Sequence, residues 1–567
     1  MIRLFVFSEA SLPGLLWQAA MGQRPVSAGV LPLLRPLHGL LVRLEAWMLR
    51  KRLVQSLAEA FPDMPWIEGT PGRGYYNDIH HRIEVELHRH FDGGSGDLAY
   101  AFKKATTDAV QAVVPLPLAC EWLAANRERG TWRLEGAPTF LHDVACMYYG
   151  QVPDWPVRIL RLPVKPVNFL NALLVWAGVS LWLLLRTRLK VETLKFCLAV
   201  DRMSPLDDQV LSRVLDDPRE ALVIDRLGSL AAAQGVRGGW QKARLCDARL
   251  QLSDLPGILS DLTTAIWGLW RKDGEIDPLL FGRRAALSGK QIMFRAFFRR
   301  FKPSFFWGRD DYSLEHVVRN IELKKIGGRS LGINHGLAMN TFAPQWREIM
   351  FDIYYVYGRH MYETYQKDAW WQGMTVRPIG NLHCPHDERR GDRAQKRDIG
   401  YFAMSGPYFE FLLREVFKVA RHFSGRTVHV RMKPGRERHF MDLFERLMQE
   451  APANVRNHQE PDPYGLLTEI GYALTSGSTL TAEALQFGAT TFCFDVDPSL
   501  ECFYYRDFPG LTVPDAATVI RRIEDIESGH EKYDFMAYDG LISMSAGDPF
   551  DVIRQDIGLS STGRIAA

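Results

Sequence analysis

Cysteine is scarce in this chain of 567 residues. There are seven (Cys120, Cys146, Cys197, Cys246, Cys384, Cys493 and Cys502), scattered, odd in number and without a CxxC pair. Such spacing supports neither a disulfide framework nor a zinc ribbon, and a reducing cytoplasm suits it. Charge of one sign is equally thin: 69 Lys plus Arg against 66 Asp plus Glu leave a net charge of +3. No whole-surface field results, so any basic site is local and no nucleic-acid partner is expected. The opening "MIRLFVFSEASLPGLLWQAAM" lacks the basic head and long apolar core of an export signal, so the protein is expected to stay inside the cell. What is present is globular: 47 % hydrophobic, 24 % charged and 11 % aromatic residues exclude a disordered, collagenous or coiled-coil chain. The length calls for two large domains or more.

The first 300 residues carry three segments of mixed apolar and basic character. Ile2 to Phe7 reads as a buried strand and the stretch after Pro13 as a helix, the usual opening of an α/β domain. "VLPLLRPLHGLLVRLEAWMLRKRL" is a basic amphipathic pattern broken by Pro32 and Pro36. Phe169 to Leu185 runs 17 residues without a charge, with Arg158, Arg161 and Lys165 before it and Arg186, Arg188 and Lys190 after it. As a helix this run is about 25 Å long, short of the roughly 30 Å hydrocarbon core. It therefore reads as a helix lying on or dipping into one anionic leaflet, or as a buried core helix, before a simple span. "QIMFRAFFRRFKPSFF" (291–306) alternates phenylalanine with arginine and suits either a membrane interface or a basic surface helix with its rings turned inward. His80, His81, His88 and His90 sit beside the helical apolar stripe Ile79, Ile83 and Leu87 with no ligand set to complete a metal site, so they read as solvated.

The last 260 residues alternate strand and helix patterns with short connections, the signature of parallel sheets covered by helices on both faces. The charged stretch 384–396 is the expected linker between two such domains, 1–383 and 397–567, the first carrying a helical, apolar insertion at about 150–300. In open α/β domains ligands sit beyond the carboxyl ends of strands. Three strand ends carry chemistry. "YALTSGSTLTAEALQFG" places Thr475, Ser476, Gly477, Ser478 and Thr479 between a strand and a helix, either as an anion seat or as ordinary capping residues. "VHVRMKPGRE" ends a strand with Arg431 and Lys433. "GINHGLA" puts His335 at a strand end, where an imidazole can act as a general base.

These motifs in this order, over roughly residues 303 to 510, resemble the two-domain GT-B glycosyltransferases. Among them they are most similar to the bacterial capsule transferases of the Kdo and polysialic acid type and to glycerophosphotransferases using CDP-glycerol. The resemblance implies two Rossmann-like domains facing a cleft, a CMP-, CDP- or UDP-linked donor and a lipid-linked or growing glycan acceptor. It also implies work at the inner face of the cytoplasmic membrane. It implies further that Ser476, Ser478 and Thr479 hold the donor phosphate, that Glu483 meets the ribose, and that His335 activates the acceptor. Asp310 and Asp311 of "WGRDDYS" are the alternative base, and Arg309 an acceptor or phosphate contact. Lys433 stands where many relatives have histidine, which puts proton donation from that position in doubt, since lysine does not titrate near pH 7. No DxD with a supporting ligand set occurs between strand-like segments, so neither a metal nor a cofactor beyond the nucleotide-linked substrate is expected. A nucleotide-sugar 2-epimerase of the same architecture, and a degenerate transferase fold serving as a membrane-bound assembly partner, are the alternatives.

Overall fold

The computed structural model describes residues 2–61, 97–126, 128, 130–151, 153–159, 163–201, 205–224, 240–337, 346–384, 396–404, 408–433, 438–460, 462–496, 503–544 and 547–559. The group His80, His81, His88 and His90 lies outside them, as does most of the expected linker.

Three parallel sheets carry the fold. The first joins Ile2–Phe7, Val26–Val30, Gln55–Ser56, Trp132–Ala137 and Val157–Ile159 in the order 3-2-1-4-5. The middle sheet joins Leu194–Val200, Ala221–Ile224, Gln241–Ala243, Phe301–Gly308, Arg329–Ile333, Ile353–Val356 and Thr375–Pro378 in the order 3-2-1-4-5-6-7. The last joins Ile399–Ala403, Val428–Met432, Val455–Asn457, Tyr472–Thr475, Thr490–Phe494 and Thr512–Val513 in the order 3-2-1-4-5-6. All three orders reverse at the first strand, as in Rossmann-type folds. The expected α/β class with two Rossmann-like lobes facing each other is present in the middle and last sheets, and the first sheet adds a third lobe.

Burial on both faces explains the sequence of the central strands. Every residue of Ile399–Ala403 and of Tyr472–Thr475 is buried, and a covered parallel strand needs no polar alternation. The helices that cover them do alternate: in Phe409–His422, Phe409, Leu412, Leu413, Val416, Phe417 and Ala420 form one buried stripe.

Three long helices, Val164–Arg186, Leu255–Asp273 and Pro278–Arg300, pack together between the first and middle sheets. The helical insertion expected at 150–300 is therefore shared with the first three strands of the middle sheet. Two of its helices meet at Gly289, where a Cβ would stand 2.9 Å from Val175 Cγ1 and 3.0 Å from Val179 Cγ2. For the phenylalanines of 291–306 the interfacial reading is corrected, and the reading with rings turned inward holds. That segment is the end of Pro278–Arg300 and the start of Phe301–Gly308, and Phe294, Phe297, Phe298, Phe301 and Phe306 fill the core under the middle sheet. Arg295 is held by Glu322 at 2.8 Å and by Asp261. The rings turn inward because they meet a sheet, not lipid.

The boundary at 397 also needs revision at its far end. Helix Pro549–Asp556 returns to the middle lobe, where Phe550, Ile553 and Ile557 join the core beneath the middle sheet. Asp556 accepts from Tyr355 Oη at 3.0 Å and pairs with Arg377 at 2.9 Å.

Candidate active site

In a sheet of this order the loops after the first and fourth strands diverge and leave a crevice at their carboxyl ends. In the middle lobe that point is flanked by Asp201, after Leu194–Val200, and by Arg309, Asp310 and Asp311, after Phe301–Gly308. In the last lobe it is flanked by residues 476–479, between Tyr472–Thr475 and helix Leu480–Gln486. A cavity of about 140 Å³ lies between the lobes, lined by Arg309, Asn334, His335, Tyr357, Asn381 and His383 on one side and by Tyr464, Thr479 and Glu483 on the other.

His335 is exposed into this cavity at the end of Arg329–Ile333. Its loop is fixed from behind: the His335 N–H donates to Asp311 Oδ2 at 3.1 Å, and the imidazole stands edge-on to Tyr312 at 5.2 Å. Asp311 is fully buried and accepts from Tyr354 Oη at 2.7 Å. Burial pushes its carboxyl up to about 6, against the pull of the Tyr354 and His335 donors and of the Lys104 charge. Asp310 is buried as well, bound through both oxygens to Arg319 Nη1 at 2.8 Å, which also reaches Asp201 Oδ2 at 2.8 Å. Neither aspartate is among the residues lining the cavity. Arg309 does line it, with Asp207 3.7 Å from its guanidinium.

On the opposite lobe, Glu483 projects from the first turn of Leu480–Gln486 and accepts from Tyr464 Oη at 3.3 Å and from Tyr357 Oη at 3.5 Å. Burial raises its carboxyl to about 7 against the lowering effect of both tyrosines. Thr479 Oγ1 accepts from the Leu337 N–H at 3.1 Å, a bond between lobes. Gly336 allows that approach, since a Cβ there would come within 3.0 Å of Thr479 Oγ1. Gly477 has φ +79°, a left-handed turn that glycine adopts without strain, and its N–H points to Cys493 Sγ at 3.3 Å. Thr475 is buried with its hydroxyl 2.8 Å from Thr481 Oγ1, so it fastens strand to helix. Ser478 Oγ accepts from the Leu480 N–H at 3.3 Å, a local turn bond just ahead of the helix. Ser476 sits beside the buried Tyr401 hydroxyl. Arg431 is buried, with Nε donating to Glu460 O at 3.3 Å, and Lys433 is exposed at the end of the same strand.

The structure therefore brings His335, Arg309, Thr479 and Glu483 to one cavity. Asp310, Asp311, Arg431, Lys433, Thr475, Ser476, Gly477 and Ser478 stand outside its lining. Tyr357, Asn381, His383 and Tyr464 join it without having been singled out in the sequence. His383 stacks on Tyr464 at 4.5 Å and 20°, and burial, reinforced by Arg309, lowers its imidazole to about 4. Their one local signal is position: Tyr357 and Asn381 follow strands, and Tyr464 follows Asp462, whose carboxylate caps Pro463–Glu469.

At about 140 Å³ the cavity is less than half the roughly 300 Å³ at which small-molecule pockets begin. A nucleotide-linked substrate could enter only if the lobes part, which breaks the Leu337–Thr479 and Tyr357–Glu483 bonds, frees the Thr479 hydroxyl and leaves Glu483 with the Tyr464 bond of its own lobe. Among the described residues, no three His, Cys, Asp or Glu side chains are grouped to hold a metal ion.

No family model matches the chain, and no curated protein matches it. Among solved structures it is similar to UDP-N-acetylglucosamine 2-epimerase from Rickettsia bellii, at 11 % identity over 65 % of this chain and 96 % of that one, with a TM-score of 0.40. It is similar to UDP-GlcNAc 2-epimerase from Neisseria meningitidis bound to UDP-GlcNAc, at 10 % identity over 64 % and 99 %, with a TM-score of 0.40. The lipopolysaccharide outer core galactosyltransferase WaaB matches at 12 % identity over 64 % and 99 %, with a TM-score of 0.36. Likenesses this distant decide nothing about activity. The strand orders and the facing crevices by themselves make the middle and last lobes a GT-B-like pair.

Proposed function

We propose that the protein is a glycosyltransferase moving a sugar, or a polyol phosphate, from a CMP-, CDP- or UDP-linked donor to a lipid-linked or growing surface glycan at the inner face of the cytoplasmic membrane. The observation that supports this most is the meeting of His335 from one lobe with Thr479 and Glu483 from the other in a single cavity. In this reading His335 takes the proton of the acceptor hydroxyl, and Asp311 positions it by holding its backbone N–H. Thr479, with Ser476 and Ser478, receives the donor phosphate, and Glu483 the ribose. Arg309 at the cavity wall, with Arg431 and Lys433 at the carboxyl end of Val428–Met432 in the last lobe, offsets the charge of the departing phosphate.

Calorimetric titration with CMP, CDP and UDP tests the donor side; failure of all three to bind rejects the proposal. His335→Ala is expected to lower turnover by about 10² to 10⁴, the usual worth of a general base, while leaving nucleotide affinity nearly unchanged. Undiminished activity of the His335→Ala, Ser478→Ala double variant would sink the site assignment. This arrangement asks no divalent ion of the protein, so turnover in excess EDTA is expected to match turnover without it. Consumption of a nucleotide sugar in the absence of any acceptor would point to epimerisation instead. Nucleotide binding without turnover, together with co-purifying partner proteins, would point to an assembly role.

A further inference from the structure

Helix Val164–Arg186 is built inside out. Its buried face carries Asn168, Asn171 and Ser180 alongside Ala172, Val175, Val179 and Leu183. The two asparagines are ties: Asn168 Nδ2 donates to Gly274 O at 3.0 Å and Ile276 O at 2.8 Å, while Asn171 donates to Leu33 O at 2.7 Å and accepts from the Arg35 N–H at 2.9 Å. Apart from Lys165 in its first turn, its outer face has no exposed polar residue. Every exposed position from Pro166 through Leu185 is apolar, and Phe169, Leu170, Leu173, Leu181, Leu184 and Leu185 are large. Leu181 is 58 % and Leu185 61 % exposed. The neighbouring helix Leu255–Asp273 behaves in the ordinary way, with Ser260, Asp261, Thr263 and Thr264 exposed.

Two further observations say what covers this face. Phe169 at one end packs against Trp267 and Trp270, with ring centroids 5.4 and 5.6 Å away, an aromatic group of the kind that settles at lipid headgroup level. At the other end the exposed cations Arg188 and Lys190 follow the helix, and Lys195 and Lys302, also exposed, lie in register on adjacent parallel strands. Like charges side by side on a sheet repel unless an anion meets them. At 23 residues the helix is about 34 Å long, enough to span by length. Its inner face, however, is committed to Pro278–Arg300, which carries the buried Arg283 and Arg284 and cannot enter hydrocarbon.

We infer that Val164–Arg186 lies in the plane of one membrane leaflet, with its outer leucine stripe sunk to the acyl boundary and Arg188, Lys190, Lys195 and Lys302 on anionic headgroups. The occupant of this face is an anionic bilayer. The inference deepens the membrane part of the proposed function and rests on that reading for its purpose, which is to present the cleft to acceptors anchored in the same leaflet.

The test is co-sedimentation of the full chain, without nucleotide, with phosphatidylcholine vesicles containing or lacking phosphatidylglycerol. The wild type is expected to sediment with the anionic vesicles. The triple variant Leu181→Gln, Leu184→Gln, Leu185→Gln is expected to lose at least about tenfold in partitioning, with an unchanged thermal midpoint as evidence that it folds. A second variant, Arg188→Ser, Lys190→Ser, Lys195→Ser, is expected to lose the preference for phosphatidylglycerol and the salt sensitivity of binding. A wild type that stays in the supernatant with both vesicles overturns the inference. So does a wild-type dimer that the leucine variant converts to a monomer, since the face would then belong to a second copy. A protein that binds vesicles but no pyrimidine nucleotide would sink the transferase reading and leave the docking face standing.

Discussion

Arg319→Leu is expected to be among the most damaging single changes in the protein, lowering stability by about 3 to 5 kcal/mol. Arg319 is fully buried, holds Asp201 and Asp310 at 2.8 Å each, and lies with its guanidinium 4.2 Å from the centre of the Phe306 ring. Leucine would leave two buried carboxylates facing each other across the switch point of the middle sheet without the cation between them. Their folded-state pKa values would then lie above the unfolded ones, so the deficit is present at neutral pH and recedes as pH falls toward the unfolded aspartate range. Thermal denaturation of wild type and variant at pH 7 and pH 5 checks both the size and the sign. Adding Asp310→Asn to the variant should recover part of the loss at pH 7, because one of the two charges is then gone. A deficit that is the same at both pH values would mean that packing, not charge, is what Arg319 supplies.

Glu483→Gln is expected to act in opposite directions on stability and on binding. The carboxyl is raised by burial from 4.5 to about 7 in the folded protein. Between those values the unfolded chain has released the proton and the folded one still holds it, so stability falls as pH rises from about 4.5 to about 7 and is level above that. The whole fall amounts to roughly 3 kcal/mol. Glutamine keeps the acceptor oxygen for Tyr357 and Tyr464 but carries no proton to lose, so the variant should match wild type at pH 5 and exceed it at pH 8. Nucleotide affinity should nonetheless drop about 10- to 100-fold, the loss of charge-assisted hydrogen bonds to a ribose. Thermal midpoints at the two pH values and a calorimetric titration read the two effects separately. A variant that gains no stability at pH 8 would show that Glu483 is not the buried acid described here.

Much of the last two lobes was legible because their strands are uninterrupted apolar runs between helices of clear period, as at Ile399–Ala403 and Phe409–His422. The earlier part resisted for physical reasons. Gln55–Ser56 and Gln241–Ala243 are too short to show any period, and Ala221–Ile224 is a fully buried "ALVI" that a helix could equally contain. In 291–306 the spacing of the phenylalanines marked one face, but nothing local says whether a face meets lipid or a sheet completed by strands from elsewhere in the chain. The site divides along the same line. His335 and Thr479 announce themselves by residue type at strand ends and Glu483 only through the family resemblance, whereas Tyr357, His383 and Tyr464 are aromatics among many, and only the meeting of two lobes gives them a role. The return of Pro549–Asp556 to the middle lobe has no sequence signal, because its apolar stripe would suit either lobe.

That return changes how the cleft can widen. A body hung on one covalent thread can spin about it; the last lobe hangs on two, one leaving the middle lobe after Gly380 and one coming back through Ser543. The threads run side by side: Gly380 has φ +73°, and a Cβ there would sit 3.0 Å from Ser543 O, while the Ser543 N–H donates to Tyr357 O at 2.7 Å. Such a mounting resembles a shutter on paired pins, with little freedom to twist and one easy swing about the line joining them. Since Gly380 is itself on the cavity wall, the mouth would gape most at the points farthest from that pivot, and a bulkier residue at 380 would wedge it.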